Sequence, residues 1–128
     1  LNTLGENHSD VAKSYNNIGN VYEAKGDNEK ALEYYNKSLA IKLITLGENH
    51  SAVADTYNNI GKVYGAKGDN DKALKYHTKS LAIRLNTLGE NHPDVAQSFN
   101  NIAAVYQIKG DNYKALEYYL KSLSIKDK

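Results

Sequence analysis

The segment Tyr15-Asn16-Asn17-Ile18-Gly19 occurs three times in this sequence. It returns 42 residues further on as Tyr57-Asn58-Asn59-Ile60-Gly61, and after another 42 residues as Phe99-Asn100-Asn101-Ile102-Ala103. Two other segments keep this spacing: Leu-Gly-Glu-Asn-His at 4–8, 46–50 and 88–92, and Lys-Gly-Asp-Asn at 25–28, 67–70 and 109–112. A fixed period of this length is typical of a stacked repeat array. We therefore expect a single array over 1–128, with copies at 10–51, 52–93 and 94–128 and with 1–9 as the end of a preceding repeat.

Each copy contains two helical patterns. In the first pattern, Val11, Tyr15, Ile18 and Tyr22 recur at the spacing of one helix face, and Gly26 marks the end of the helix. Asp27 is placed to cap a second helix, because its carboxylate can accept hydrogen bonds from the free N–H groups of the first turn. The patterns predict helices over about 10–25, 28–45, 52–67, 70–87, 94–109 and 112–126. The predicted fold is an all-α solenoid of three antiparallel helix pairs.

Small residues recur where the two helices of a pair should meet. Gly19, Gly61 and Ala103 lie one helical turn after the aromatic residue of each copy. The second helices carry a matching alanine at Ala31, Ala73 and Ala115. A hairpin of this kind cannot cover its own apolar face, so we expect neighbouring hairpins to cover one another.

The chain resembles the tetratricopeptide repeat (TPR) family at these same positions. The family pattern of aromatic, Leu, small, Tyr, Ala, aromatic, Ala is present as Tyr15, Ile18, Gly19, Tyr22, Ala31, Tyr35 and Ser38. Each copy is eight residues longer than an ordinary TPR and lacks the family's proline near Leu43, and in its length and motifs it is similar to the 42-residue repeats of kinesin light chains. The resemblance implies a right-handed superhelix in which the first helix of each copy, the A helix, lines a concave groove that binds peptides or partner helices.

One face of each A helix lies opposite its apolar face on a helical wheel. This face carries Lys13, Asn17, Asn20 and Ala24, then Asp55, Asn59, Lys62 and Ala66, then Gln97, Asn101, Ala104 and Ile108. Asparagine is constant at 17, 59 and 101 while its neighbours vary. Since its amide both donates and accepts hydrogen bonds, it can bond the N–H and the C=O of an extended peptide. The sequence predicts a peptide-binding groove formed by Asn17, Asn59, Asn101, Lys13, Asn20, Asp55, Lys62, Gln97 and Ile108.

A structural role for these asparagines remains open at this point, because an amide at this position can also bond the neighbouring helix and set the stacking angle. Bonding between helices is the role we expect for Asn16, Asn58 and Asn100, which lie on the flank of the A helix. Some TPR domains hold a C-terminal carboxylate with a cationic clamp, but the corresponding positions here carry no cation: Asn16, Asn20, Asn59, Gln97 and Asn101. An acidic peptide with an apolar side chain toward Ile108 is our hypothesis for the ligand.

The composition argues against several other functions. Sixteen basic and fifteen acidic residues give a formal net charge of +1, which favours neither nucleic acid nor a membrane as the partner. Cysteine is absent, which fits a reducing compartment, and we expect a cytoplasmic protein. No phosphate-binding loop and no His-Glu-X-X-His motif is present, so we predict no enzyme and no cofactor. His8, His50 and His92 stand one repeat apart, at ~10 Å helix spacing, and cannot share a zinc ion that needs its nitrogens at ~2 Å; we expect them to cap helices or to pack in the turn instead.

The expected partner is therefore a protein or a peptide. The alternative is a structural spacer or a self-assembling repeat module without a groove ligand. No polar capping helix follows residues 124–128, so we also expect end-to-end self-association through the terminal repeats.

Overall fold

The computed structural model describes residues 4–126, with side chains from residue 9 onward. Over this range the chain forms three helix pairs: α1 (Leu4–Ala24) with α2 (Asn28–Leu46), α3 (Ser51–Ala66) with α4 (Asn70–Leu88), and α5 (Pro93–Ile108) with α6 (Asn112–Lys126). We call these pairs repeats 1, 2 and 3. The predicted all-α repeat solenoid is confirmed. None of the helices between residues 4 and 126 is long and apolar enough to cross a bilayer.

The turn inside each repeat is built by local chemistry. Gly26 adopts a φ of 81°, and the following Asp27 N–H donates to the Tyr22 carbonyl oxygen at 2.9 Å. Asp27 then caps α2 by accepting a hydrogen bond from the Lys30 N–H at 3.1 Å. The same arrangement recurs in repeats 2 and 3. The predicted glycine stop and aspartate cap are confirmed.

The turn between repeats uses a second glycine and a histidine. Gly47 has a φ of 85° and its N–H donates to the Leu43 carbonyl oxygen at 3.2 Å. His50 Nδ1 accepts a hydrogen bond from the Ala52 N–H at 3.0 Å, and His92 Nδ1 accepts one from the Asp94 N–H at 3.0 Å. Helix capping by these two histidines is confirmed, while the His8 side chain lies outside the described residues.

The start of α1 differs from the prediction. The segment 4–8, predicted as a turn, is helical, and α1 begins at Leu4 rather than near Asp10. In the later copies the same sequence bonds back to the helix that precedes it, through Gly47 to Leu43 and through Gly89 to Leu85. At residues 4–8 the same sequence instead forms the first residues of α1.

The two helices of each pair meet at the predicted small residues. Tyr35 is fully buried against Gly19, and a Cβ on Gly19 would lie only 2.7 Å from the Tyr35 ring. Ser38 Oγ donates to the Ala12 carbonyl oxygen at 2.8 Å, which ties α2 to α1. Ser80 makes the same bond to Ala54 in repeat 2. Close approach within the pair therefore depends on the small residue of the A helix and on a buried serine of the B helix (the second helix of each repeat).

Neighbouring repeats share one apolar core. Ala31, Leu32 and Tyr35 of α2 form a buried cluster with Ile60 and Val63 of α3. The effect of the preceding repeat appears in equivalent residues: Ile60 is fully buried, whereas Ile18 of repeat 1 is 38% exposed. The B helices α2 and α4 are thus each covered by the next A helix, as expected for stacked hairpins.

His77 occupies the position that tyrosine holds in repeats 1 and 3. It is buried against Gly61, and its Nδ1 has no hydrogen-bond partner among the described residues. Burial, together with the positive charges of Arg84 and Lys62, lowers the pKa of His77 from 6.5 to about 4. The neutral imidazole is therefore the form that fits the folded chain.

Two glycines of α3 offer a matched test of the packing. A Cβ on Gly61 would lie 2.9 Å from His77 Cε1, whereas a Cβ on Gly65 would lie 3.9 Å from the Ala73 Cβ, an ordinary contact. We expect Gly61→Ala to lower the free energy of unfolding by ~1–3 kcal/mol through overpacking. Gly65→Ala should raise it by up to ~1 kcal/mol, because alanine favours the helix. Urea denaturation measures both, and equal changes in the two variants would contradict the close packing at Gly61.

The buried His77 predicts a pH-dependent stability. Since its pKa is about 4 in the folded chain and near 6.5 when unfolded, the unfolded chain binds more protons between these values. The free energy of unfolding should then fall as the pH drops from 6.5 to 4, by up to ~3 kcal/mol. His77→Phe, which cannot titrate, should lose this part of the pH dependence in urea denaturation at pH 7.0 and 4.5. Parallel profiles for the two proteins would show that His77 is not the group responsible.

Candidate functional site

The A helices α3 and α5 contact each other directly, and we call the side of the A helices that carries Asn17, Asn59 and Asn101 the inner face. Of the three constant asparagines on these helices, Asn17 is exposed, and Asn59 and Asn101 are half-buried. Neither Asn17 nor Asn59 has a side-chain hydrogen bond to any residue between 9 and 126. Their amides are therefore available on the inner face.

Asn101 differs from the other two because it bonds the preceding repeat. Its Nδ2 donates to Oδ1 of the buried Asn58 at 2.7 Å, which joins α5 to α3. The inter-helix role expected for the flank asparagines is confirmed at Asn58. At the equivalent place between repeats 1 and 2, Asn16 Oδ1 is shielded from solvent and has no partner among the described residues. The two interfaces between repeats are therefore built differently.

Arg84 of α4 crosses the interface between repeats 2 and 3, which we call the second interface. Its side chain is only 4% exposed. Nη2 donates to Asp55 Oδ1 at 3.0 Å, while Nη1 donates to Gln97 Oε1 at 3.0 Å, to Ser98 Oγ at 3.0 Å and to the Asp94 carbonyl oxygen at 3.1 Å. Two predicted groove residues, Asp55 and Gln97, are thus brought together by a cation from a B helix.

Lys42 holds the same position in the first interface, between repeats 1 and 2, but it reaches fewer partners. Its Nζ donates to Thr56 Oγ1 at 2.9 Å and to the Ala52 carbonyl oxygen at 3.4 Å. Burial lowers the pKa of Lys42, and the nearby Asp55 opposes this effect. The ammonium group is therefore partly desolvated without a full set of partners.

A cavity of about 350 Å³ lies beside Lys42 in the first interface. Two of the predicted groove residues on α1, Lys13 and Asn17, line it together with Asn16. Asp55 of α3 and the end of α2 complete the wall. The structure thus brings Lys13, Asn17 and Asp55 around one concave, cation-bearing space.

The remaining predicted residues lie elsewhere on the A helices. Asn20 Oδ1 accepts a hydrogen bond from the Tyr35 hydroxyl at 2.6 Å, so this amide is engaged within repeat 1. Lys62 Nζ lies 4.0 Å from Glu23 Oε2 across the first interface. Ile108 is exposed at the C-terminal end of α5. None of these three side chains lines the cavity beside Lys42.

Lys42 and Arg84 were not among the residues predicted from the sequence. A signal was present, since a basic residue recurs at 42, 84 and 126 on the B helices. A wheel of the A helix alone cannot reveal it, because the side chain reaches the inner face from the other helix. Among residues 9–126, no group of three side chains suited to hold a metal ion is found.

A profile of the tetratricopeptide repeat family matches residues 1–44, 10–86 and 52–128. BtubC (BKLC) from P. vanneervenii is similar in structure and sequence, with 34% identity and a TM-score of 0.85 over 91% of this chain and 47% of that one. Nearly identical TPR-like repeats of a Podosopora anserina protein described as a kinesin light chain show 25% identity and a TM-score of 0.81, over 94% of this chain and 57% of that one. The chain thus spans roughly half the length of these two solved structures.

The TPR domain of Arabidopsis FLU shares the fold, with a TM-score of 0.81 at 19% identity, over 91% of this chain and 95% of that one. A comparison with curated proteins gives no significant sequence match. The resemblance to kinesin light-chain repeats is confirmed by the Podosopora structure. Since the family profile matches along the whole sequence, the chain belongs to the tetratricopeptide repeat family.

Proposed function

We propose that the chain is a non-catalytic scaffold that binds an extended peptide or a partner helix along the inner face of its A helices. Proteins of this family generally serve as protein-interaction scaffolds. The observation that carries the proposal for this chain is the pair Asn17 and Asn59, which leave their amides without hydrogen bonds on the inner face. An amide that is free in this way can bond both the N–H and the C=O of a peptide backbone.

Asn101 has a different role in this proposal. Its bond to Asn58 holds α5 against α3, so it supports the shape of the groove. Removing Asn101 would change stability together with binding. A test of ligand contact therefore rests on Asn17 and Asn59.

Replacing Asn17 and Asn59 by alanine should weaken peptide binding without unfolding the chain. Twelve-residue peptides selected from a displayed random library serve as ligands, and calorimetry gives their affinities. We expect a loss of ~1–3 kcal/mol per asparagine where the peptide bond is desolvated. The matched control replaces Asn36 and Asn86, two exposed asparagines of the B helices, and should leave affinity unchanged. Equal affinities for all three proteins, or a library that yields no binder, would overturn the groove proposal.

A second candidate function, self-assembly of the chain, is favoured by the exposed face of α6. Leu116 is 59% exposed, whereas its equivalent Leu32 is 7% exposed because α3 covers it. On the other end of the stack, Val11, Ile18 and Val21 of α1 are exposed as well. The α1 helix of a second copy can pack on α6 in the same way as α3 packs on α2 within one chain. Such a head-to-tail contact leads to open chains of molecules.

Self-assembly predicts a sedimentation coefficient that rises with the concentration of the chain. Leu116→Lys should abolish the rise. It places a charge at the position equivalent to Leu32, which is buried in the contact between α2 and α3. Leu120→Lys is the matched control: its equivalent is Asn36, which stays exposed in repeat 1. A wild-type chain that sediments as a monomer at millimolar concentration would contradict self-assembly.

A further inference from the structure

The two interfaces between repeats differ at two charged positions. In the second interface, Arg84 bonds the Asp55 carboxylate of α3 at 3.0 Å and also donates hydrogen bonds to α5. In the first interface, Lys42 replaces the arginine and Lys13 replaces the aspartate. In the second interface, the cation Arg84 is therefore paired with a carboxylate of the chain itself. In the first interface, the ammonium groups of Lys13 and Lys42 belong to residues that line one cavity.

The only carboxylate lining this cavity among the described residues is that of Asp55. Its Oδ1 already accepts the hydrogen bond from Arg84, and 61% of its side chain is exposed. Arg84 therefore takes up much of the negative charge that Asp55 could offer to Lys42. The local balance of Lys13, Lys42, Asp55 and Arg84 favours an added anion.

We propose that the cavity between repeats 1 and 2 binds the side-chain carboxylate of an aspartate or glutamate in a bound peptide, held between Lys13 and Lys42. This inference rests on the proposed groove function and names the chemistry that one subsite selects. The subsite combines a residue of the A helix with a residue that reaches in from the B helix.

The geometry of Lys42 fits a carboxylate. Its Nζ carries three N–H groups, and the described residues offer it Thr56 Oγ1 at 2.9 Å and a longer contact to the Ala52 carbonyl oxygen. A carboxylate oxygen completes the set and offsets the desolvation that lowers the pKa of this lysine. Charge-assisted bonds of this kind are stronger than neutral ones.

The other lining residues suit a peptide around that carboxylate. Asn17 also lines the cavity, and its exposed amide can bond the backbone of a peptide. The cavity of about 350 Å³ is far larger than the space that one water molecule needs, so it admits an acidic side chain together with ordered water.

The test compares acidic peptides with their neutral counterparts. Peptides of twelve residues are selected from a displayed random library, and each glutamate or aspartate of the selected sequences is changed to its amide. We expect one acidic position whose replacement weakens binding roughly ten- to hundredfold. Lys42→Met should weaken the acidic peptide by a similar factor and leave the amide peptide nearly unchanged. Lys25, an exposed lysine in the turn after α1, supplies the matched control: Lys25→Met should change the affinity for neither peptide.

A second variant neutralises the cations of the cavity and is designed to keep the packing of the interface. Lys13→Asp combined with Lys42→Arg copies into the first interface the pair that Asp55 and Arg84 form in the second. We expect a thermal midpoint equal to or above that of the wild type, together with loss of the preference for the acidic peptide. Loss of binding in this variant is then not a consequence of unfolding.

The outcomes separate this inference from the groove proposal. Selected peptides that bind equally well as acids and amides, or that bind the Asp/Arg variant unchanged, would overturn the carboxylate subsite and leave the groove in place. A library that yields no binder would overturn the groove function and this inference with it. Acid-dependent binding that disappears with Lys42→Met supports both.

Discussion

The contact between one B helix and the next A helix is the interaction on which the rest of this structure depends. Leu32 and Tyr35 of α2 form one buried cluster with Ile60 and Val63 of α3. The same contact fixes how far the side chain at position 42 or 84 extends across the interface. A change in stacking would therefore alter the core, the shape of the inner face and the environment of both cations at once.

The sequence predicted the parts of the fold that depend on local chemistry. Gly26 and Asp27 act within one turn, so their roles follow from the residue types and their spacing. The close approach of the two helices at Gly19 also followed, because a small residue recurs at this place in every copy, although Tyr35 was not predicted as the side chain that it meets. The predicted start of α1 was wrong: the segment that forms a turn at 46–50 and 88–92 is helical at 4–8.

The candidate site was predicted less completely because it is shared between repeats. The wheel of the A helix identified Lys13, Asn17 and Asp55, which line one cavity. It did not identify Lys42, whose side chain enters from α2, and it treated Asn59 and Asn101 as equivalent. Their difference arises across the interface, where Asn101 meets Asn58 and the corresponding bond between Asn59 and Asn16 is not formed.

Near-identical repeats need not have identical binding chemistry. The substitution of Lys13 by Asp55 one repeat later changes the partner of the neighbouring cation: Arg84 finds its carboxylate inside the chain, and Lys42 does not. A single charge reversal between copies can thus convert an internal ion pair into a place that attracts an anion. Since the core residues that the copies share pack in the same way beside either arrangement, the charged interface positions differ between repeats without a change of fold.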